Sequence, residues 1–136
     1  MAKEKLSLPA NQASGRLLRT ALAGMCDRFG VDREASDDFG LAVSEAFSNA
    51  VRHGDAARQA TVSVLLEMSA DLCRVTLLYA GEPFPLTEPQ LPHDGSTNGR
   101  GRYLMSVLAD AVDYQFRNGK TRVILSKRWL ASGGRG

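Results

Sequence analysis

The sequence has little with which to hold a metal ion or build a disulfide framework: two cysteines and two histidines among 136 residues. Cys26 and Cys73 lie in apolar surroundings without metal-ligand or redox spacing, so buried free thiols in a reducing compartment are expected. His53 and His93 have no companions at ligand spacing, and no cluster supports a metal-dependent metabolic enzyme. Long apolar runs are missing as well. Nothing approaches the ~20 apolar residues of a membrane span, and the opening MAKEKLSLP has no apolar leader core, so a cytoplasmic protein without membrane attachment is expected. Charge of one sign is also scarce. Lys and Arg number 17 against 15 Asp and Glu, a formal net charge of +2 with the signs intermixed. Without a basic stripe, direct nucleic-acid binding is not expected.

What is present suits a single globular domain spanning 1–136, since hydrophobic residues make up 43% of the chain and charged ones 24%. Lys5 to Leu8 predicts a short edge strand closed by Pro9. Leu17, Leu18, Ala21, Leu22, Met25 and Phe29 recur at helical spacing, predicting a helix from Asn11 to Phe29 with Gly30 as its stop. A second helix is predicted from Arg33 to His53, with Asp32 as N-cap and Gly54 just past its end. Ala60–Met68 and Leu72–Tyr79 read as a hairpin. The interval Gly81 to Gly101, rich in Pro, Gly, Asp and Asn, reads as one long loop that contains His93, either part of a lid over phosphates or simply solvated. A third amphipathic helix is predicted over Arg102–Val112, then a final hairpin, Val112–Phe116 and Thr121–Leu130, around the turn dipeptide Asn118-Gly119. Trp129 is expected either to pack against the sheet or to mark a partner surface. The order βααββαββ implies an α+β fold, a two-layer sandwich whose mixed, mostly antiparallel sheet is covered on one face by helices.

Two clusters could carry chemistry. Glu45 and Asn49 are one helical turn apart and share a face, and His53 continues the row. A carboxylate beside a carboxamide suits oxygen-rich chemistry, the amide oxygen as a Mg²⁺ ligand and the carboxylate as a proton acceptor; a solvated polar stripe is the plain alternative. Gly99-Arg100-Gly101 precedes an apolar-periodic helix, and glycines ahead of a helix N-terminus let backbone N–H groups approach a phosphate; a flexible loop at a helix start is the alternative.

Taken in order, SEAFSNAVRHG, two strands, a Gly/Pro loop, GRGRYLMSVLADAVDY and NGKTRVILSK resemble the GHKL ATPase superfamily. More narrowly they resemble the small anti-sigma-factor serine kinases of bacterial partner switching, with similarity from Leu6 to Lys127. The resemblance implies a Bergerat-like fold and a kinase that uses Mg²⁺ and ATP to phosphorylate a serine on an antagonist (anti-anti-sigma) protein and to sequester a sigma factor, with a homodimer also in view. Residue by residue, it implies that Glu45 deprotonates the serine hydroxyl and that Asn49 ligates Mg²⁺. His53 belongs to the same nucleotide-side helix. Gly81, Gly99, Arg100 and Gly101 fall in the glycine boxes, Thr121 at the adenine end, and Arg19 where the family grips its partner; an ordinary exposed arginine is the alternative for Arg19.

One stretch departs from the family pattern. Where an Asp-x-Gly-x-Gly box is expected, this chain has Tyr79-Ala80-Gly81-Glu82-Pro83: only Gly81 remains, Tyr79 stands for the aspartate and Pro83 for the second glycine. Tyrosine is neutral at pH 7 and no substitute for a carboxylate acceptor. An unpaired adenine donor would cost on the order of 2–4 kcal/mol, roughly 30- to 1000-fold in affinity. Two readings follow. Either Glu82 or a shifted loop supplies the acceptor and ATP binds, or the domain is a nucleotide-deficient pseudo-kinase that works by binding proteins.

Overall fold

The computed structural model describes residues 2–54, 60–81 and 108–129. In chain order they form β1 (Ala2–Pro9), α1 (Ser14–Arg28), α2 (Arg33–His53), β2 (Thr61–Met68), β3 (Leu72–Ala80), β4 (Ala111–Arg117) and β5 (Lys120–Arg128). The strands make one five-stranded sheet in the order β1-β2-β3-β5-β4. Every pairing among the described strands is antiparallel, so the parallel component implied by a mixed sheet is not found there. Residues 102–107 of the predicted helix Arg102–Val112 lie outside the described residues, as do His93, Gly99, Arg100 and Gly101, and its predicted last residues Ala111 and Val112 instead begin β4, where they pair with Ser126 and Leu125.

Local chemistry sets the element ends. Asp32 Oδ2 accepts from the Ala35 N–H at 3.1 Å, capping α2 where the sequence predicts it, and Arg52 and His53 sit at the negative end of the helix dipole. α1 begins at Ser14 rather than Asn11. Asn11 Oδ1 instead accepts from the Ser14 N–H at 3.0 Å and from its hydroxyl at 3.2 Å, closing a turn just ahead of the helix. The β4–β5 hairpin turns on Asn118 (φ 55°) and Gly119 (φ 76°), two successive left-handed residues as a type I′ turn requires.

The two helices lie on one sheet face. Along β2 and β3 the burial alternates, with Val62, Val64, Leu66, Val75 and Leu77 facing the helices. Phe39 and Phe47 of α2 and Leu18 and Leu22 of α1 fill the space between the layers at 2% exposure or less, and truncating either phenylalanine to alanine is expected to cost about 3–5 kcal/mol. Trp129 is buried in this core, so the sheet-packing expectation holds for it. The opposite sheet face carries no helix among the described elements; Leu65, Thr76, Leu78 and Ile124 line a broad concavity there, rimmed by Lys5, Glu67, Arg74 and Arg122.

Candidate functional site

The residues singled out in the sequence fall into three places. The first is a groove of about 590 Å³ between α1 and α2. Arg16 and Arg19 line it from α1, and Asp37, Ser44, Glu45 and Ser48 from α2, so Glu45 and Arg19, 26 positions apart in sequence, share one concavity. Gly15 and Gly40 also line it, which keeps the helix walls low; a Cβ on Gly40 would meet nothing within 4 Å. Ser44 carries a signal that sequence reasoning missed: its hydroxyl is buried at the groove wall and has no hydrogen-bond partner among the described residues. An unpaired buried hydroxyl is costly, and a polar group entering the groove would satisfy it.

The second place is one turn further along α2. Asn49 is only 3% exposed, so at this position the row Glu45, Asn49, His53 is not a solvated stripe. Its Oδ1 accepts from the guanidinium of Arg52, which also donates from Nη1 to Ser48 Oγ at 3.2 Å. Its Nδ2 is buried without a partner among the described residues. Rotating the amide would aim Nδ2 at the arginine donors, so the assigned orientation is the one the neighbouring charge supports. A carboxamide oxygen that already faces a cation has the right donor chemistry for a hard metal ion. His53 lies at the exposed end of the row, its imidazolium held below the usual range first by partial desolvation and then by the charge of Arg52. Among the described residues no three acidic, cysteine or histidine side chains cluster as a metal site, so a metal here would depend on Asn49 and on groups supplied by a bound ligand.

The third place joins the end of β3 to the β4–β5 turn. Tyr79 and Thr121 are register partners on adjacent strands, and both are buried, at 2% and 0% exposure. Gly81 is clamped on both sides: its N–H donates to Gly119 O at 2.9 Å and its carbonyl accepts from Thr121 Oγ1 at 2.7 Å. Its φ of 124° belongs to the region where glycine is free of side-chain strain, which accounts for the one glycine of this box that the chain keeps. Burial pushes the Tyr79 hydroxyl up to about 12, against the opposing pull of Thr121. The structure thus gathers Gly81 and Thr121 at one point, with the neutral phenol of Tyr79 beside them. Gly99, Arg100 and Gly101 lie outside the described residues.

A two-layer α+β frame with a carboxylate groove, a buried helix asparagine and a glycine held by a strand threonine defines a class. The chain belongs to the histidine kinase-like ATPase domain family, whose profile matches residues 8–127. Within that class it is similar to the serine-protein kinase RsbW of Bacillus velezensis, 30% identical over 128 residues that cover 86% of this chain and 80% of the relative. It is likewise similar to the serine-protein kinase RsbW of Bacillus subtilis, 29% identical with the same coverage. The fold is also similar to part of the solved structure of the RsbU and RsbW domains of a Mycobacterium tuberculosis protein, with a TM-score of 0.73 and 20% identity, covering 95% of this chain and 33% of that longer one. No helix among the described residues is long and apolar enough to cross a membrane.

Proposed function

We propose that the chain is a protein serine kinase of the anti-sigma-factor type, which binds ATP with Mg²⁺ and phosphorylates a serine on a small antagonist protein. The observation that carries this reading is the groove that Glu45 and Arg19 both line, with the unsatisfied Ser44 hydroxyl in its wall. A partner segment seated there would place a serine hydroxyl against the Glu45 carboxylate, which takes its proton as the serine oxygen attacks the γ-phosphorus and the bond to ADP breaks. Asn49 Oδ1 would hold Mg²⁺ once Arg52 is displaced, and the metal would supply neutralisation of phosphate charge. Arg19 and Arg16 would grip the partner from the opposite wall. Thr121 and Gly81 would sit at the base end of the nucleotide, and Gly99, Arg100 and Gly101 on its phosphates. Exchange between the antagonist and a sigma factor on this surface completes the proposal.

A second reading has its own observation. Tyr79 puts a buried neutral phenol where a carboxylate acceptor is expected. That favours weakened nucleotide binding and a module that acts by protein contact alone. Calorimetric titration with Mg·ATP, followed by phosphotransfer assays with Glu45→Gln, separates the two. The kinase reading expects binding near micromolar and a rate loss of about 10²-fold or more in the variant with ATP affinity retained. Absence of binding up to millimolar ATP leaves only the protein-binding module.

A further inference from the structure

The β4–β5 turn gathers positive charge with no carboxylate to answer it among the described residues. Asn118-Gly119 fixes the hairpin register, so Arg117 and Lys120 stand directly opposite each other, and like charges in that relation weaken a strand pair. Arg122 lies two residues beyond Lys120 on the same strand and so on the same sheet face. All three are exposed, and none takes part in an ion pair among the described residues. Asp113, the acid of β4, accepts instead from Gln115 Nε2 at 3.3 Å.

The three cations border one hollow. It measures about 610 Å³, is lined by Arg117, Lys120 and Arg122 together with Leu78 and Phe116, and has no carboxylate among its described lining residues. The larger concavity that it meets at Leu78 and Arg122 is different, because Glu67 and Asp113 balance the bases there. Phe116 is 47% exposed, one of two large apolar side chains left in solvent among the described residues; the other, Leu17, belongs to α1. Exposed apolar surface rimmed by charge marks a place where another molecule sits.

We propose that the β4–β5 hairpin end is a docking surface for an extended acidic segment of a partner protein. Two features select that occupant. Lys120 and Arg122 are about 6.6–6.8 Å apart along their strand, the repeat of alternate residues in any extended chain, so carboxylates two positions apart in a segment meet both. Leu78 and Phe116 offer an apolar side chain of the same segment a place beside them. A nucleic acid fits less well, since three cations neutralise few phosphates and the whole chain carries only +2. Thr121 and Val123, which flank Arg122, are buried on the helix side, so Lys120 and Arg122 face away from the helices. No residue lines both this hollow and the α1–α2 groove, and the surface stands independently of the kinase reading.

The probes are two synthetic peptides, one with alternating glutamates followed by a leucine and one with glutamine at the same positions, titrated into the isotope-labelled whole chain and followed by amide NMR. The glutamate peptide is expected to shift the signals of residues 115–122 with a sub-millimolar dissociation constant, and to lose about 5-fold or more in affinity when salt is raised about tenfold. The glutamine peptide is expected to bind about 10-fold or more weakly. Replacing both cations, Lys120→Gln with Arg122→Gln, lowers affinity by about 5- to 20-fold. Lys120→Glu turns a repulsive cross-strand pair into an attractive one, so its melting temperature rises by about 1–4 °C while peptide binding is lost, and the loss is read on a protein that is better folded. The proposal is overturned by shifts confined to other residues, by equal binding of the two peptides, by undiminished binding to the double variant, or by no binding at millimolar peptide. It is equally overturned if single-stranded DNA or phosphatidylglycerol vesicles engage residues 115–122 more tightly than the peptide does.

Discussion

Asn49 offers a test in which stability and function move apart. In Asn49→Ala the variant loses its hydrogen bond from Arg52, an exposed side chain, at about 0.5–1.5 kcal/mol, and a few buried packing atoms at about 1 kcal/mol. Against this, it removes an Nδ2 that is buried with no partner among the described residues, worth about 1–3 kcal/mol in desolvation, and gains a few tenths from helix propensity. The sum is close to zero, whereas an ordinary fully bonded buried asparagine would cost about 2–4 kcal/mol on truncation. Urea denaturation of both proteins at matched slope should therefore place the variant within about 1 kcal/mol of wild type. Repeating the titration with Mg·ATP at about 100 times its dissociation constant should add about 2.7 kcal/mol to wild type and nothing to the variant. A loss above about 2 kcal/mol without nucleotide would refute the orphaned-amide reasoning. A variant that keeps the full Mg·ATP increment would refute the role of Asn49 as a ligand.

Three further changes follow from the same geometry. The folded Tyr79 hydroxyl lies at about 12, above its unfolded value near 10, so its contribution is fully present below pH 10 and is lost as pH rises from 10 through 12. Wild type should therefore lose about 2–3 kcal/mol more than Tyr79→Phe over that window in paired denaturation curves, and equal losses would show the phenol to be solvated. Gly40→Ala should stabilise the chain by about 0.5–1 kcal/mol, because a Cβ there meets nothing, while weakening any partner seated in the groove that Gly40 lines; thermal melts and partner titration read the two effects. Asp32→Ala should cost about 1 kcal/mol through loss of the cap on Ala35, with Asp32→Asn restoring most of it.

Much of the frame was legible in the sequence because local chemistry decides it. α2 runs from Arg33 to His53 as its periodicity and its Asp32 cap indicate, and the Asn118-Gly119 turn lies where the dipeptide stands. What escaped depends on partners remote in the chain. β1 extends over Ala2–Pro9 rather than Lys5–Leu8 because β2 offers a full-length partner, with Ala2 opposite Met68, and pairing overrides a charged composition that favours no strand by itself. The site divided in the same way. Helical spacing places Glu45 and Asn49 one turn apart, but that one lines an open groove and the other is buried follows from where α1 and the sheet lie. The convergence of Thr121 on Gly81 is a product of topology, and no spacing rule reports it.

The insertion of both helices between β1 and β2 bears on the order in which the chain can assemble. The β2–β3 and β4–β5 hairpins close over short turns, whereas β1 must wait for a partner that follows two helices later, at a much larger loop-closure entropy. During synthesis β1 thus emerges two helices ahead of β2, the strand it pairs with. Until then its charged residues, Lys3, Glu4 and Lys5, keep an unpaired edge from recruiting a second chain.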